Sequence, residues 1–158
     1  MDDFDLKIAD ILDRKGRSSY RKIGEELGVS EATIRRRLGN MTENGSVKFP
    51  AVLDIEEFPE IYIAIVGIVI NVNPNKCIQK ILELPSVLYT MTVTGRYDII
   101  AIIIYNSRKM FSITSTGIID IDGVVHLETF IVIENYGLKI PASKLFDLKS
   151  TLKSIEND

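Results

Sequence analysis

The stretch Ser30 to Thr42, SEATIRRRLGNMT, constrains this chain more than any other. Ser30 can cap a helix, because its hydroxyl accepts from the free backbone N–H groups of a first turn. Ile34, Leu38 and Met41 recur at i, i+4 and i+7, one apolar stripe that must pack on something. Ala32 and Thr33 keep the opening turn slim, and Glu31 stands at the favoured N-terminal end. Arg35, Arg36 and Arg37 project from the sides the core does not use. Such a rod suits a groove of duplex DNA. The rival is a solvated surface helix with a chance basic cluster, and the flanking sequence decides between them.

Asp2 to Arg14 predicts a first helix, with Phe4 or Leu6, Ile8, Ile11 and Leu12 on one face and Asp2, Asp3 and Asp5 at its positive end. Gly16 stops it. Ser18 or Ser19 caps a second helix, Tyr20 to Leu27, whose apolar positions are Tyr20, Ile23 and Leu27. Gly28 fits a left-handed C-cap, and Val29 leads into Ser30. Two short helices joined by a tight Gly-containing turn, the second one basic, make a helix-turn-helix. Asn44-Gly45 closes the third helix. Val47 to Leu53 reads as extended, with Pro50 pointing to an edge or a kink, and Asp54 to Glu60 as a loop.

Beyond residue 50 the periodicity changes. Ile61 to Val72 is a β-branched strand, Pro74 opens a helix that Pro85 ends, and Val87 to Thr94 and Tyr97 to Tyr105 are strands around a Gly95-Arg96 turn. Ser107 caps a short helix, Ile118 to Gly123 connects, and Val124 to Glu134 is the last strand. This βαββαβ order is that of a ferredoxin-like sandwich, with helices on one sheet face only. The strands are apolar on both sides, so a second copy is expected to bury the other face. Leu145, Leu148, Leu152 and Ile155 then recur at helical spacing. The expected class is α+β: a helix-turn-helix (winged-helix-like) domain with strand linker over 1–50, a ferredoxin-like effector-binding and oligomerisation domain over 51–140, and an amphipathic helix over 141–158.

Charge is divided along the chain. Net charge is −3, so the whole molecule is no electrostatic polyanion binder. From Arg14 to Arg37, however, eight Lys/Arg face three Glu, whereas residues 51–158 carry nine basic and thirteen acidic side chains. A basic face on an acidic protein points to a local polyanion contact. The single cysteine, Cys77, excludes an internal disulfide and fits a reducing compartment. The acidic start MDDFDLK is unlike a signal peptide. The apolar run Ile61 to Ile70 is ten residues, against the ~20 a spanning helix needs. A cytoplasmic protein with no membrane partner is expected.

In this order and spacing the motifs resemble the Lrp/AsnC (leucine-responsive, feast/famine) family of transcription regulators. The carriers are Asp2, Asp5, Ile11 and Leu12; Lys15-Gly16-Arg17; Ile23, Leu27, Gly28 and Ser30; Arg37, Met41, Gly45 and Val47; Gly95-Arg96-Tyr97-Asp98; and Gly123-Val124 with Thr129. The resemblance implies a DNA-binding domain joined to a small-molecule domain, homodimers assembling to tetramers or octamers, and an amino acid or related metabolite bound where dimers meet. Gly24, where the family prefers Ala, and Gly39, inside the third helix, depart from the pattern. Each costs about 1 kcal/mol of helix propensity relative to Ala, and Gly39 is expected to loosen that helix.

For double-stranded DNA, the candidate contacts are Ser30, Glu31, Thr33, Arg35, Arg36 and Arg37, with Ser18, Ser19, Tyr20 and Arg21 near the phosphate backbone. Arg37 has a second reading, a pairing with an acidic residue of the first helix. For an amino-acid-like effector, Gly95 allows close backbone approach, Asp98 can pair with an α-ammonium, Arg96 adds a charged contact and Tyr97 walls the pocket. Val124, Thr129 and Ile131 are further candidates. The competing reading is a plain hairpin turn with Asp98 as its acceptor. No catalytic arrangement, metal cage or cofactor is implied: His126 and Cys77 stand alone, and Asp120/Asp122 reads as a solvated turn. Two rival functions stay open. One is an enzyme similar to siroheme decarboxylases, with His126 as its only general-acid candidate. The other is an architectural DNA-binding protein indifferent to ligand.

Overall fold

A computed structural model describes residues 1–16 and 18–156, apart from the side chains of 151–156. Arg17 and the side chains of Leu152 and Ile155 therefore lie outside the described residues. The chain divides into two compact units, Met1–Pro50 and Ala51–Asp158.

The first unit holds α1 (Asp3–Lys15), α2 (Tyr20–Leu27) and α3 (Glu31–Glu43), and no strand among the described residues, so no wing accompanies the helix-turn-helix there. Asp2 caps α1 reciprocally: its carboxylate accepts from Asp5 N at 2.9 Å, and Asp5 accepts from Asp2 N at 3.0 Å. Ser19, not Ser18, caps α2, and Ser30 caps α3. Gly28 takes the left-handed conformation (φ 69°) that ends α2. Ile8, Ile11, Ile23, Ile34, Leu38 and Met41 form the core, with Phe4 against it, while Leu6 faces solvent. A fully buried Ile34 contributes about 1.5–3 kcal/mol relative to exposure. Gly45 (φ 73°) turns the chain after α3, and Val47 N donates to Met41 O.

In the second unit β2 (Tyr62–Ile70), α4 (Pro74–Glu83), β3 (Val87–Thr92), β4 (Ile99–Tyr105), α5 (Arg108–Ile119) and β5 (Val124–Ile131) follow β1 (Val52–Asp54). The four long strands form an antiparallel sheet in the order β3-β4-β2-β5, the ferredoxin-like arrangement. The extended segment expected over Val47 to Leu53 condenses to β1, which pairs with β6 (Lys139–Pro141) inside this unit. Ile118, expected in a connection, is the buried last turn of α5.

Alternation splits the sheet into two faces. Ala64, Val66, Ile68, Ile99, Ala101 and Ile103 pack on Cys77, Ile81 and Ile118 of the helices. On the opposite side, Ile63, Leu88 and Ile104 pack against Ile140 and against Leu145 and Leu148 of α6 (Ala142–Glu156). That cover is partial: Ile65, Tyr89, Met91 and Phe130 stay 36–46% exposed. No helix among the described residues is long and apolar enough to cross a membrane.

Candidate nucleic-acid and effector sites

The three arginines of α3 have three different environments. Arg37 reaches back to α1: its Nη1 lies 2.7 Å from Asp2 Oδ2 and 2.9 Å from Asp5 Oδ1, and its guanidinium stands 5.0 Å from the Phe4 ring centroid. Hydrogen bonding with Arg37 and with Asp5 N holds the Asp2 carboxyl below its usual value; for Asp5 the bond from Asp2 N leads and Arg37 adds to it. The same two carboxylates raise Arg37. Of the two readings open for Arg37, the structure has the one in which it joins α3 to α1.

Arg35 folds onto its own helix, 2.6 Å from Glu31 Oε1 and over the Tyr20 ring at 5.4 Å. Such exposed i, i+4 pairs contribute roughly 0–1 kcal/mol, so a phosphate can displace the carboxylate. Arg36 has no acidic partner among the described residues and opens on a polar depression of about 290 Å³ shared with Asn40, Asn44 and Ser46. Asn40 and Asn44 follow Arg36 at i+4 and i+8, a helical spacing visible in the sequence. Ser30 and Thr33 bond each other at 2.9 Å beside the helix start. Arg21 lies 3.5 Å from Glu25 on α2, exposed. Ser19 Oγ accepts from Lys22 N, and Ser18 N donates to Gly16 O.

Gly95 has φ 137°, open to glycine and rarely to other residues. The Asp98 carbonyl closes its own hairpin, accepting from Val93 N at 3.0 Å, whereas the carboxylate reaches out of the turn. Asp98 Oδ2 accepts from Ile70 N at 2.9 Å, and the Asp98 backbone N–H donates to Ile68 O, tying the turn to the end of β2. The Tyr97 ring lies flat on Gly67, where a Cβ would come within 2.8 Å of it. The Tyr97 hydroxyl donates to Glu128, which also takes Arg96 at 2.9 Å. That hydrogen bond, with burial, pushes the Tyr97 phenol above its usual value against the pull of Arg96. Phe130 meets Tyr97 edge-on at 6.3 Å.

The structure brings Gly95, Arg96, Tyr97 and Asp98 together. Val124 pairs with Ile70, whose N–H the Asp98 carboxylate holds, whereas Thr129 and Ile131 lie on the sheet face away from Tyr97. Thr129 and Ile131 pair with Val66 and Ala64, and Val124 packs on the helix-side core. Strand alternation gives the Tyr97 side to Glu128 and Phe130 instead. Glu128 was missed, although its place one residue from Thr129 on a period-two strand was the available signal.

Comparison with known proteins follows the same division. Residues 1–42 match the family pattern of an AsnC-type helix-turn-helix domain, and residues 63–138 that of an Lrp/AsnC ligand binding domain. A helix-turn-helix transcription regulator of Pyrococcus abyssi is 34% identical over 136 residues, covering 85% of this chain and 92% of its own length. The regulator LysM of Saccharolobus solfataricus is 32% identical, covering 86% and 96%. The structure of the Neisseria meningitidis transcriptional regulator NMB0573 in its L-Met complex superposes with a TM-score of 0.70 at 21% identity, covering 92% of this chain and 99% of that one.

Proposed function

Since this chain belongs to the Lrp/AsnC family of transcription regulators, we infer that α3 enters the major groove of double-stranded DNA and that the Gly95–Asp98 turn takes an amino-acid-like effector. The observation that carries the first half is the Arg36 guanidinium, exposed on α3 with no ion pair to a carboxylate among the described residues. Arg35 joins it by exchanging Glu31 for a phosphate or a base edge. Ser30, Thr33, Ser18, Ser19, Tyr20 and Arg21 supply lesser contacts along the backbone. Arg37 holds α3 on α1 and so aims the other two.

The effector half is supported by Gly95, whose backbone an α-carboxylate can approach, and by Asp98, whose Oδ1 remains for an α-ammonium. The L-Met of the Neisseria regulator is a ligand of that class. The partly open sheet face pairs with a second copy, and such dimers assemble to a tetramer or octamer. A ligand that binds one assembly better than another shifts the spacing of the recognition helices. The protein works in the cytoplasm, as a regulator and not as an enzyme.

Selection of genomic fragments on the purified protein, with and without a pool of amino acids, tests this reading. Expected are duplex sites with two half-sites one helical turn or a multiple apart, and a change in occupancy with the pool. A monomer indifferent to duplex DNA at low ionic strength would overturn it.

A further inference from the structure

At the far end of the sheet from the Gly95 turn, where β2 begins, β4 ends and α5 starts, an apolar cleft of about 370 Å³ is lined by Tyr62, Tyr105, Ser107, Arg108, Phe111 and Ile131. Six residue steps of β4, about 3.3 Å each, separate Ile99 beside that turn from Tyr105 at the cleft. Tyr62 and Tyr105 stack with centroids 5.6 Å apart, and Tyr105 meets Phe111 at 5.0 Å. Three aromatic rings thus form a continuous wall. Tyr62 and Ile131 leave half their surface open to solvent, which is costly for apolar groups unless something covers them.

The polar side of the cleft has one sign. Arg108 is the first residue of α5, and its guanidinium meets no carboxylate among the described residues. No acidic side chain occupies the first turn of that helix, so its positive end is likewise uncompensated. Ser107 Oγ accepts from Met110 N at 3.2 Å, which leaves the hydroxyl hydrogen free to donate. Every group in reach therefore favours an anion next to a flat apolar body. With no Asp or Glu in the lining, an α-ammonium would find no partner there. A volume at the low end of ligand pockets admits a single ring.

We propose that this cleft binds a small aryl carboxylate lacking an amino group, with its ring against Tyr62, Tyr105 and Phe111 and its carboxylate on the Arg108 guanidinium and the Ser107 hydroxyl. The site is separate from the amino-acid site assigned to the Gly95 turn and does not depend on that assignment.

Calorimetric titration of the full chain with phenylacetate tests this, against 2-phenylethanol and 2-phenylethylamine as neutral and cationic ligands with the same ring. Phenylacetate should bind saturably, with the alcohol about tenfold weaker or more and the amine showing no binding. Arg108→Gln, an exposed position whose change spares folding, should reduce the phenylacetate affinity by a similar factor. Tyr62→Ala should weaken phenylacetate and the alcohol alike, and Asp98→Asn should change neither. Equal binding of acid and alcohol, no heat with millimolar phenylacetate, or a loss in Asp98→Asn but not in Arg108→Gln overturns the proposal. So does a Tyr62→Ala protein that changes oligomeric state, since a second copy would then be what covers the cleft.

Discussion

Gly24 of α2 and Val29 of the turn approach so closely that a Cβ on the glycine would stand 2.6 Å from the valine carbonyl oxygen. The contact is backbone on backbone, and Val29 N also donates to Gly24 O at 2.9 Å. The propensity penalty of Gly24 is therefore offset by the tight turn it permits. Gly39, by contrast, has nothing within 4 Å of the same construction. Gly39→Ala should stabilise the first unit by about 1 kcal/mol. Gly24→Ala should destabilise it by about 1 kcal/mol, as crowding outweighs the same gain. Opposite shifts of the thermal midpoint in the two variants, followed by helical circular dichroism, would establish this. Equal shifts would remove it.

A second prediction concerns pH. Asp2 and Asp5 have folded-state pKa values lowered from 3.8, so their pairing with Arg37 stabilises fully above that value and is lost as pH falls through the lower, folded values. Arg37→Gln should lower the melting temperature at neutral pH. As the pH falls through those lowered values the gap between the two proteins should close. Melts of both proteins across this range check it. A gap independent of pH would assign the loss to packing on Phe4 instead.

The periodic parts of the chain were legible in its sequence, and the three-dimensional parts were not. Ser30 with Ile34, Leu38 and Met41 announces α3, and Gly28 and Pro74 mark where elements end and begin, because capping and amphipathicity are local. The fate of Arg37 is not local: Asp2 and Asp5 lie more than thirty positions away, so sequence left two roles open. Val124, Thr129 and Ile131 are candidates as residues of the last strand, but the register of β5 against β2 turns Thr129 and Ile131 to the helix side and presents Glu128 to Tyr97. A shift of one residue along a strand reverses the face, and register is set by the partner strand.

Arg36 should carry more of the salt dependence of DNA binding than its neighbours. If its unneutralised guanidinium displaces one counterion, Arg36→Ala reduces the slope of log affinity against log salt by about one unit. Arg35→Ala should lose less net affinity, because Arg35 must give up its pairing with Glu31 to reach a phosphate. Fluorescence anisotropy with a labelled duplex at several salt concentrations measures both. An unchanged slope for Arg36→Ala takes that side chain off the phosphate.

The exposed sheet face makes a prediction about assembly. Met91 pairs with Ile100, and Phe130 with Ile65, on the side α6 leaves partly open. Met91→Glu places a charge there without touching the helix-side core. If a second copy covers this face, burying an unpaired carboxylate is prohibitive and the variant should run as a monomer with circular dichroism unchanged. Light scattering reads the outcome. An unaltered mass would place the contact elsewhere.

Two substitutions at Asp98 separate the proposed effector contact from folding. Its carboxylate serves Ile70 N, and leaving that donor unmet costs about 1–3 kcal/mol where it is buried. Asp98→Ala therefore mixes two losses. Asp98→Asn keeps a carbonyl oxygen for Ile70 N and removes only the charge an α-ammonium would use. The asparagine variant should melt within a few degrees of the parent and bind DNA equally well, yet lose its response to amino acids. The alanine variant should also melt lower. If Asp98→Asn responds to amino acids as the parent does, the carboxylate serves the Ile70 amide alone, and the turn is a structural latch between β4 and β2.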